Sequence, residues 1–220
     1  MSKKVAVILS GCGVYDGSEI YESVITLLRL DQRGATVQCF APDVDQMHVI
    51  NHLTGEQMPG SRNVLVESAR LARGEVKDLR EAEVNDFDAL IVPGGFGAAK
   101  NLSNFATGGA NLTVLPQVLT VTKAFAAAGK PIGMMCIAPT MAAQVFGQGV
   151  ICTLGRDDDP AAAAVRDMGV EHQACEVSEI IEDATHKLVT TPAYMLAQSI
   201  SEAASGINKL VDRVLELAED

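Results

Sequence analysis

The chain alternates strand-length apolar runs with helix-length segments, and that alternation constrains its fold more than any other feature. Val5-Ala6-Val7-Ile8-Leu9 is near-continuously apolar, the pattern of a strand covered on both faces. A helical segment over 18–33 follows, with Ile20, Val24, Leu27 and Leu28 at helical spacing, and Gly34 ends it before a strand over 35–40. A third strand over 89–92 is stopped by Pro93-Gly94-Gly95. An Ala-rich helix over 114–128 then leads through Gly129-Lys130-Pro131 into a fourth strand over 132–135. Strand, helix and strand in alternation require crossover connections, so the expected fold is α/β with a mostly parallel sheet and helices on both faces.

The later chain is less regular. Residues 149–153 and 171–175 read as short strands around a helix over 160–168. Residues 180–181 and 187–190 read as a hairpin, and a last helix runs from 194 or 195 to 218. Residues 43–86 hold no convincing strand run and read as an insertion with a helix over 63–72. No repeat or low-complexity linker divides the chain, so 1–220 is expected to be a single domain.

Composition narrows the partners. Seventeen basic against 28 acidic residues leave a net charge of −11, which repels phosphate backbones and anionic membranes. With aromatics at 4% and no Trp, a base-stacking surface is not expected, so neither nucleic acid nor membrane is a partner. No apolar stretch reaches the ~20 residues a membrane span needs, and the short apolar run after Lys3-Lys4 ends in Ser10-Gly11-Cys12-Gly13 rather than a cleavage site. The five cysteines are odd in number, scattered and without CxxC spacing, which points to a reducing compartment, read as the cytoplasm.

Ligands of a parallel α/β sheet bind beyond the carboxyl ends of its strands, so the residues just after each strand are the candidates for chemistry. Gly11-Cys12-Gly13-Val14-Tyr15-Asp16 begins like a dinucleotide fingerprint, but Asp16 stands where the third glycine belongs. Gly95-Phe96-Gly97 departs from it too, no phosphate-loop signature occurs, and His48 and His52 lack a third ligand, so neither a cofactor nor a metal is expected. The sharpest candidate is Cys136. It follows the fourth strand directly, and Ile137-Ala138-Pro139 opens what reads as a helix, an elbow like that which presents a hydrolase nucleophile. A helix N-terminus there is expected to lower the thiol pKa, whereas a buried structural cysteine is the bland alternative. The glycines of Pro93-Gly94-Gly95 can turn amides towards a bound oxygen, so Gly95 and Ile137 are expected to form an oxyanion hole.

These residues resemble a known family. Val92-Pro93-Gly94-Gly95, Ala99-Lys100-Asn101-Leu102-Ser103 and Cys136 in its turn resemble the PfpI/ThiJ superfamily, whose fold is flavodoxin-like and related to class I glutamine amidotransferases. Residues 10–20, Ile50-Asn51-His52-Leu53-Thr54-Gly55-Glu56 and Thr190-Thr191-Pro192-Ala193-Tyr194-Met195 further resemble its ElbB group, named for enhanced lycopene biosynthesis and described as a glyoxalase. The resemblance implies a cofactor-free, homodimeric glyoxalase that turns glyoxal into glycolate, and methylglyoxal into lactate, with possible deglycase activity on glycated thiols and amines. It assigns Cys136 as nucleophile and Glu22 as its acid or base; Gly94 is expected at the substrate, as is Tyr194 in Thr191-Pro192-Ala193-Tyr194, a segment placed to close the pocket, with helix-start packing as the alternative. Periodicity alone places Glu22 opposite the apolar stripe, on a face that reads as solvated, although Tyr21 and Ile25 hint at a second apolar side. Ile137 stands where superfamily proteases carry a histidine, and the late histidines, in His172-Gln173-Ala174 and His186-Lys187-Leu188, do not form the amidotransferase His-x-Glu, so peptidase and glutaminase chemistry are disfavoured. The non-enzymatic alternative is a redox sensor or chaperone-like regulator acting through oxidation of Cys136.

Overall fold

Buried apolar strands organise the molecule, seen here in a computed structural model that describes residues 2–219; Met1 and Asp220 lie outside it. In chain order the elements are β1 (Lys4–Ile8), α1 (Ile20–Gln32), β2 (Thr36–Ala41), α2 (Val64–Leu71), β3 (Val76–Asp78) and β4 (Ala89–Val92). Then come α3 (Phe96–Lys100), α4 (Phe105–Gly108), α5 (Pro116–Ala127), β5 (Ile132–Met135), α6 (Ala142–Phe146), β6 (Ile151–Cys152) and α7 (Pro160–Asp167). The chain finishes with β7 (Glu171–His172), β8 (Ile181–Asp183), β9 (Leu188–Thr191) and α8 (Ile200–Leu217).

The main sheet has seven strands in the order β3-β2-β1-β4-β5-β9-β8, all parallel except β8, which pairs antiparallel with β9 at the edge. Without the two edge strands, β2-β1-β4-β5-β9 is the flavodoxin-like 2-1-3-4-5 order, as the α/β expectation requires. One core lies on each face of the sheet. Phe40, Leu90, Phe125, Ile132 and Met134 belong to the first, and Val5, Val7, Ile91, Leu210 and Val214 to the second, every one at most 2% exposed. A separate pair, β6 and β7, carries the segment that returns α7 towards the sheet.

Three expectations need correction. First, 43–86 does contain a strand: β3 pairs with β2 from Cys39↔Val76 to Ala41↔Asp78. At three residues, with Lys77 and Asp78 in it, an edge strand carries too little apolar pattern to be read. Second, α8 starts at Ile200, capped by the Ser199 side chain, and not near 194, where a short 3₁₀ turn over Ala193–Met195 intervenes. Third, the stripe Ile20, Val24 and Leu28 faces outward at 40%, 47% and 52% exposure, while Glu22, Ser23, Ile25, Thr26 and Leu30 point inward. The polar residues of the inner face are all bonded. Ser23 Oγ donates to Glu19 O, Thr26 Oγ1 to Met135 Sδ, and Glu22 accepts two main-chain bonds.

The chain runs from β1 to β2 on one side and crosses to β4 on the other, so the topological switch lies between β1 and β4. The loop after β1, the Gly-Gly turn after β4 and the elbow after β5 therefore meet at one end of the sheet.

Candidate active site

Cys136 leaves β5 with φ 57°, the left-handed region, and its amide donates to Thr191 O at 3.1 Å. A side chain costs about 1–2 kcal/mol in that conformation, which the surrounding pairing of β5 with β9 holds in place. Ala193, just before Tyr194, is also left-handed at φ 45°. The two strained residues lie on either side of one carboxyl group, that of Glu22.

Glu22 is fully buried. Its Oε2 accepts the Gly94 amide at 2.8 Å and its Oε1 the Tyr194 amide at 3.2 Å, and the carboxyl stands beside the Cys136 thiol, both within 3.0 Å of where a Gly94 Cβ would be. Burial raises its pKa to about 7, helped by the charge of Glu19, while the bonds from Tyr194, Gly94 and Cys136 pull the other way. Glu19 is the N-cap of α1, accepting the Glu22 amide at 2.7 Å through Oε2. Burial raises its pKa too.

The Cys136 thiol is shifted well above its ordinary value, first by burial and then by the charge of Glu22. This corrects the expectation of a thiol acidified by a helix N-terminus. The elbow opens into a 3₁₀ turn over Ala138–Met141 and only then into the five residues of α6, so no long helix dipole faces the sulfur. Opposing the upward shift, the amides of Gly95 and Ile137 donate towards the sulfur and favour its anion. Burial thus disfavours the charged form of both the thiol and the neighbouring carboxyl.

Gly94 plays a different part from a substrate contact. A Cβ there would stand 2.4 Å from Cys136 Cβ and 2.7 Å from Glu22 Oε2, and its amide is already spent on Glu22. Its missing side chain is what lets thiol and carboxyl meet. Gly95 turns with φ 91°, where an added Cβ would strike the Glu19 amide at 2.3 Å.

A cavity of about 450 Å³ opens on Cys136, Gly95, Ile137 and Tyr194. Tyr194 contributes through its amide to Glu22 and through its ring, 6.1 Å from that of Tyr21. The structure thus gathers every residue expected at the site: Cys136, Glu22, Gly95 and Ile137 around the sulfur, Gly94 behind it and Tyr194 at the rim.

Sequence reasoning missed two acidic residues of the cavity wall, Glu19 and Asp159. Glu19 stands three residues before Glu22, the spacing of a helix N-cap and the third residue of its first turn, and that signal was available. Asp159 directly precedes Pro160 and caps α7, accepting the Ala161 amide at 2.7 Å. Asp16, which breaks the dinucleotide fingerprint, is buried and accepts the Ile50 amide at 2.8 Å, pinning the 43–63 loop beside the site. His52 lies in a turn of that loop, where Nε2 accepts the Tyr15 amide at 3.2 Å.

A DJ-1/PfpI family model matches residues 3–153. The human glutamine amidotransferase-like class 1 domain-containing protein 3, mitochondrial, is 48% identical over 97% of this chain and 83% of its own length. The rat ES1 protein homolog, mitochondrial, is 47% identical over 97% of this chain and 84% of its own. Among solved structures, an isoprenoid biosynthesis protein with amidotransferase-like domain from Ehrlichia chaffeensis superposes with a TM-score of 0.92 at 35% identity, covering 98% of this chain and 99% of that one. The mitochondrial names of these relatives overturn the expectation of a cytoplasmic protein. Unpaired cysteines separate reducing from oxidising compartments, and they carry no information that divides one reducing compartment from another.

Proposed function

This chain belongs to the DJ-1/PfpI family, and we propose that it is a cofactor-independent glyoxalase using Cys136 as nucleophile and Glu22 as general base. The observation that carries the reading is the fully buried Glu22 carboxyl set beside the Cys136 thiol, so close that a Cβ on Gly94 would meet Glu22 Oε2 at 2.7 Å and Cys136 Sγ at 3.0 Å. The family includes glyoxalases and deglycases, which supports the same kind of chemistry.

The sulfur adds to one aldehyde carbon of glyoxal. The thiol proton passes through Glu22 to the carbonyl oxygen, giving a hemithioacetal while the Gly95 and Ile137 amides hold the developing charge. Glu22 then takes the C–H proton of that carbon and returns it to the neighbouring carbon through an enediol, leaving a thioester of glycolate. Water cleaves the thioester, releasing glycolate and the thiol. The net change is the addition of one water to glyoxal, one carbon being oxidised as the other is reduced. Methylglyoxal would give lactate by the same steps. Removal of free dicarbonyl in equilibrium with its adducts accounts for deglycase activity without a separate site.

The pH profile tests this assignment. As Glu22 must be ionised to accept the thiol proton, kcat/KM rises with pH through about 7. Glu22→Gln lowers it by about 10²–10⁴-fold and removes that limb. A profile flat across neutrality, or a Glu22→Gln variant with wild-type turnover, overturns the base assignment.

We also propose that the protein is a homodimer in which a second copy covers the outer face of α1. Ile20, Val24 and Leu28 lie four apart along that face, uncharged and exposed, an apolar stripe that a second copy would cover.

A further inference from the structure

The cavity over Cys136 is much larger than a two-carbon dicarbonyl requires. Its volume of about 450 Å³ falls in the range of sites for drug-sized ligands, about 300–1,000 Å³. The wall is built from the rings of Phe96 and Phe105 with Ile137, Pro160 and Met195. The only charged residues lining it are Glu19 and Asp159, and among the described residues no Lys, Arg or His does so.

Both carboxylates are fixed by the fold. Glu19 is held by the first turn of α1 and is 7% exposed, and Asp159 is held by the first turn of α7. Lys100 stands beside the rim at Phe96. Its Nζ donates to Tyr15 O at 2.8 Å and lies 5.3 Å from the Phe96 ring centre. Two carboxylates in a wall of low polarity repel a carboxylate or phosphate on an entering molecule more strongly than they would in water.

Resting on the Cys136 reading above, we propose that the substrates are uncharged aldehydes and α-dicarbonyls bearing an apolar substituent up to the size of an aryl ring. Glu19 and Asp159 exclude the anionic ones. In the binding step the sulfur–carbon bond forms as the carbonyl π bond breaks, and the thiol proton ends on the carbonyl oxygen. The apolar substituent occupies the space between Phe96, Phe105 and Met195 that glyoxal leaves empty.

The charge filter is measurable without turnover. Alkylation of Cys136 by iodoacetamide and by iodoacetate displaces iodide in both cases, and the two reagents differ in charge. The rates, read by peptide mass spectrometry at Cys136, are divided by those of N-acetylcysteine at the same pH. The iodoacetate-to-iodoacetamide ratio is expected to be at least tenfold lower at Cys136 than in the free thiol, and to rise at least threefold in Glu19→Gln or Asp159→Asn. Both variants keep an oxygen for the helix cap, and one folded variant suffices. A ratio equal to that of the free thiol overturns the filter.

The apolar part is read from kcat/KM. Phenylglyoxal should exceed glyoxal by at least tenfold, and 4-carboxyphenylglyoxal should fall at least tenfold below phenylglyoxal. Preference for glyoxal overturns the proposed substrate class even where Cys136→Ala abolishes all turnover. Turnover that survives Cys136→Ala overturns the nucleophile instead, and the alkylation ratio still decides the filter.

Discussion

Replacing Glu22 by Gln should change the pH dependence of stability by an amount that the burial of this one carboxyl sets. In the folded chain Glu22 has its pKa raised from 4.5 to about 7. The folded state therefore binds more protons than the unfolded chain between those values, and stability falls as pH rises through that window. Integrated from pH 4 to pH 8, the loss is about 3 kcal/mol. The sign is opposite to that of a salt-bridged carboxylate, which stabilises as pH rises. The amide of the Glu22→Gln variant has no proton to lose, so its curve lacks this component. It does lose one good bond, since its NH₂ must face either the Gly94 or the Tyr194 amide, at a cost of about 1–3 kcal/mol. Wild type should therefore be the more stable protein at pH 4–5, with the difference closing or reversing by pH 8. Urea unfolding of both proteins at equal concentration, at several pH values between 4 and 8, measures it. Parallel curves would refute the claim that the Glu22–Cys136 pair holds a proton against solution near neutrality.

Three further outcomes follow from the same geometry. Gly94→Ala places a methyl against Cys136 Cβ and Glu22 Oε2, so activity should fall at least 100-fold with a stability loss of about 1–3 kcal/mol by thermal melting; wild-type turnover in a folded Gly94→Ala protein would show that the close approach is not needed. Val24→Glu with Leu28→Glu should leave the melting temperature nearly unchanged, as both residues are exposed, and convert dimer to monomer in sedimentation velocity. An unchanged sedimentation coefficient would place any dimer contact elsewhere. Peroxide treatment should abolish glyoxal turnover in proportion to oxidation of Cys136, whereas a sensor would show little turnover beforehand and a change in stability or partner binding afterwards.

The sheet was legible because its central strands are buried on both faces and so read as continuous apolar runs, as in 5–9, 89–92 and 132–135. β3 was not, since an edge strand of three residues has no such run. The elbow at Cys136 was legible from a strand ending directly at a small-residue turn with Pro139. Glu22 was legible only through family resemblance. Periodicity assumes that the inner face of a helix is the apolar one, and α1 inverts that rule by burying Glu22, Ser23 and Thr26 with every polar group bonded. Nor can sequence show that the amides satisfying Glu22 come from Gly94 and Tyr194, 72 and 172 residues away.

The account stands most directly on one comparison, that of products formed from ¹³C-labelled glyoxal by reduced wild-type protein and by Cys136→Ala, followed by nuclear magnetic resonance. Glycolate should accumulate with the wild type and not with the variant. Equal glycolate from both, or none from fully reduced wild type, would contradict it.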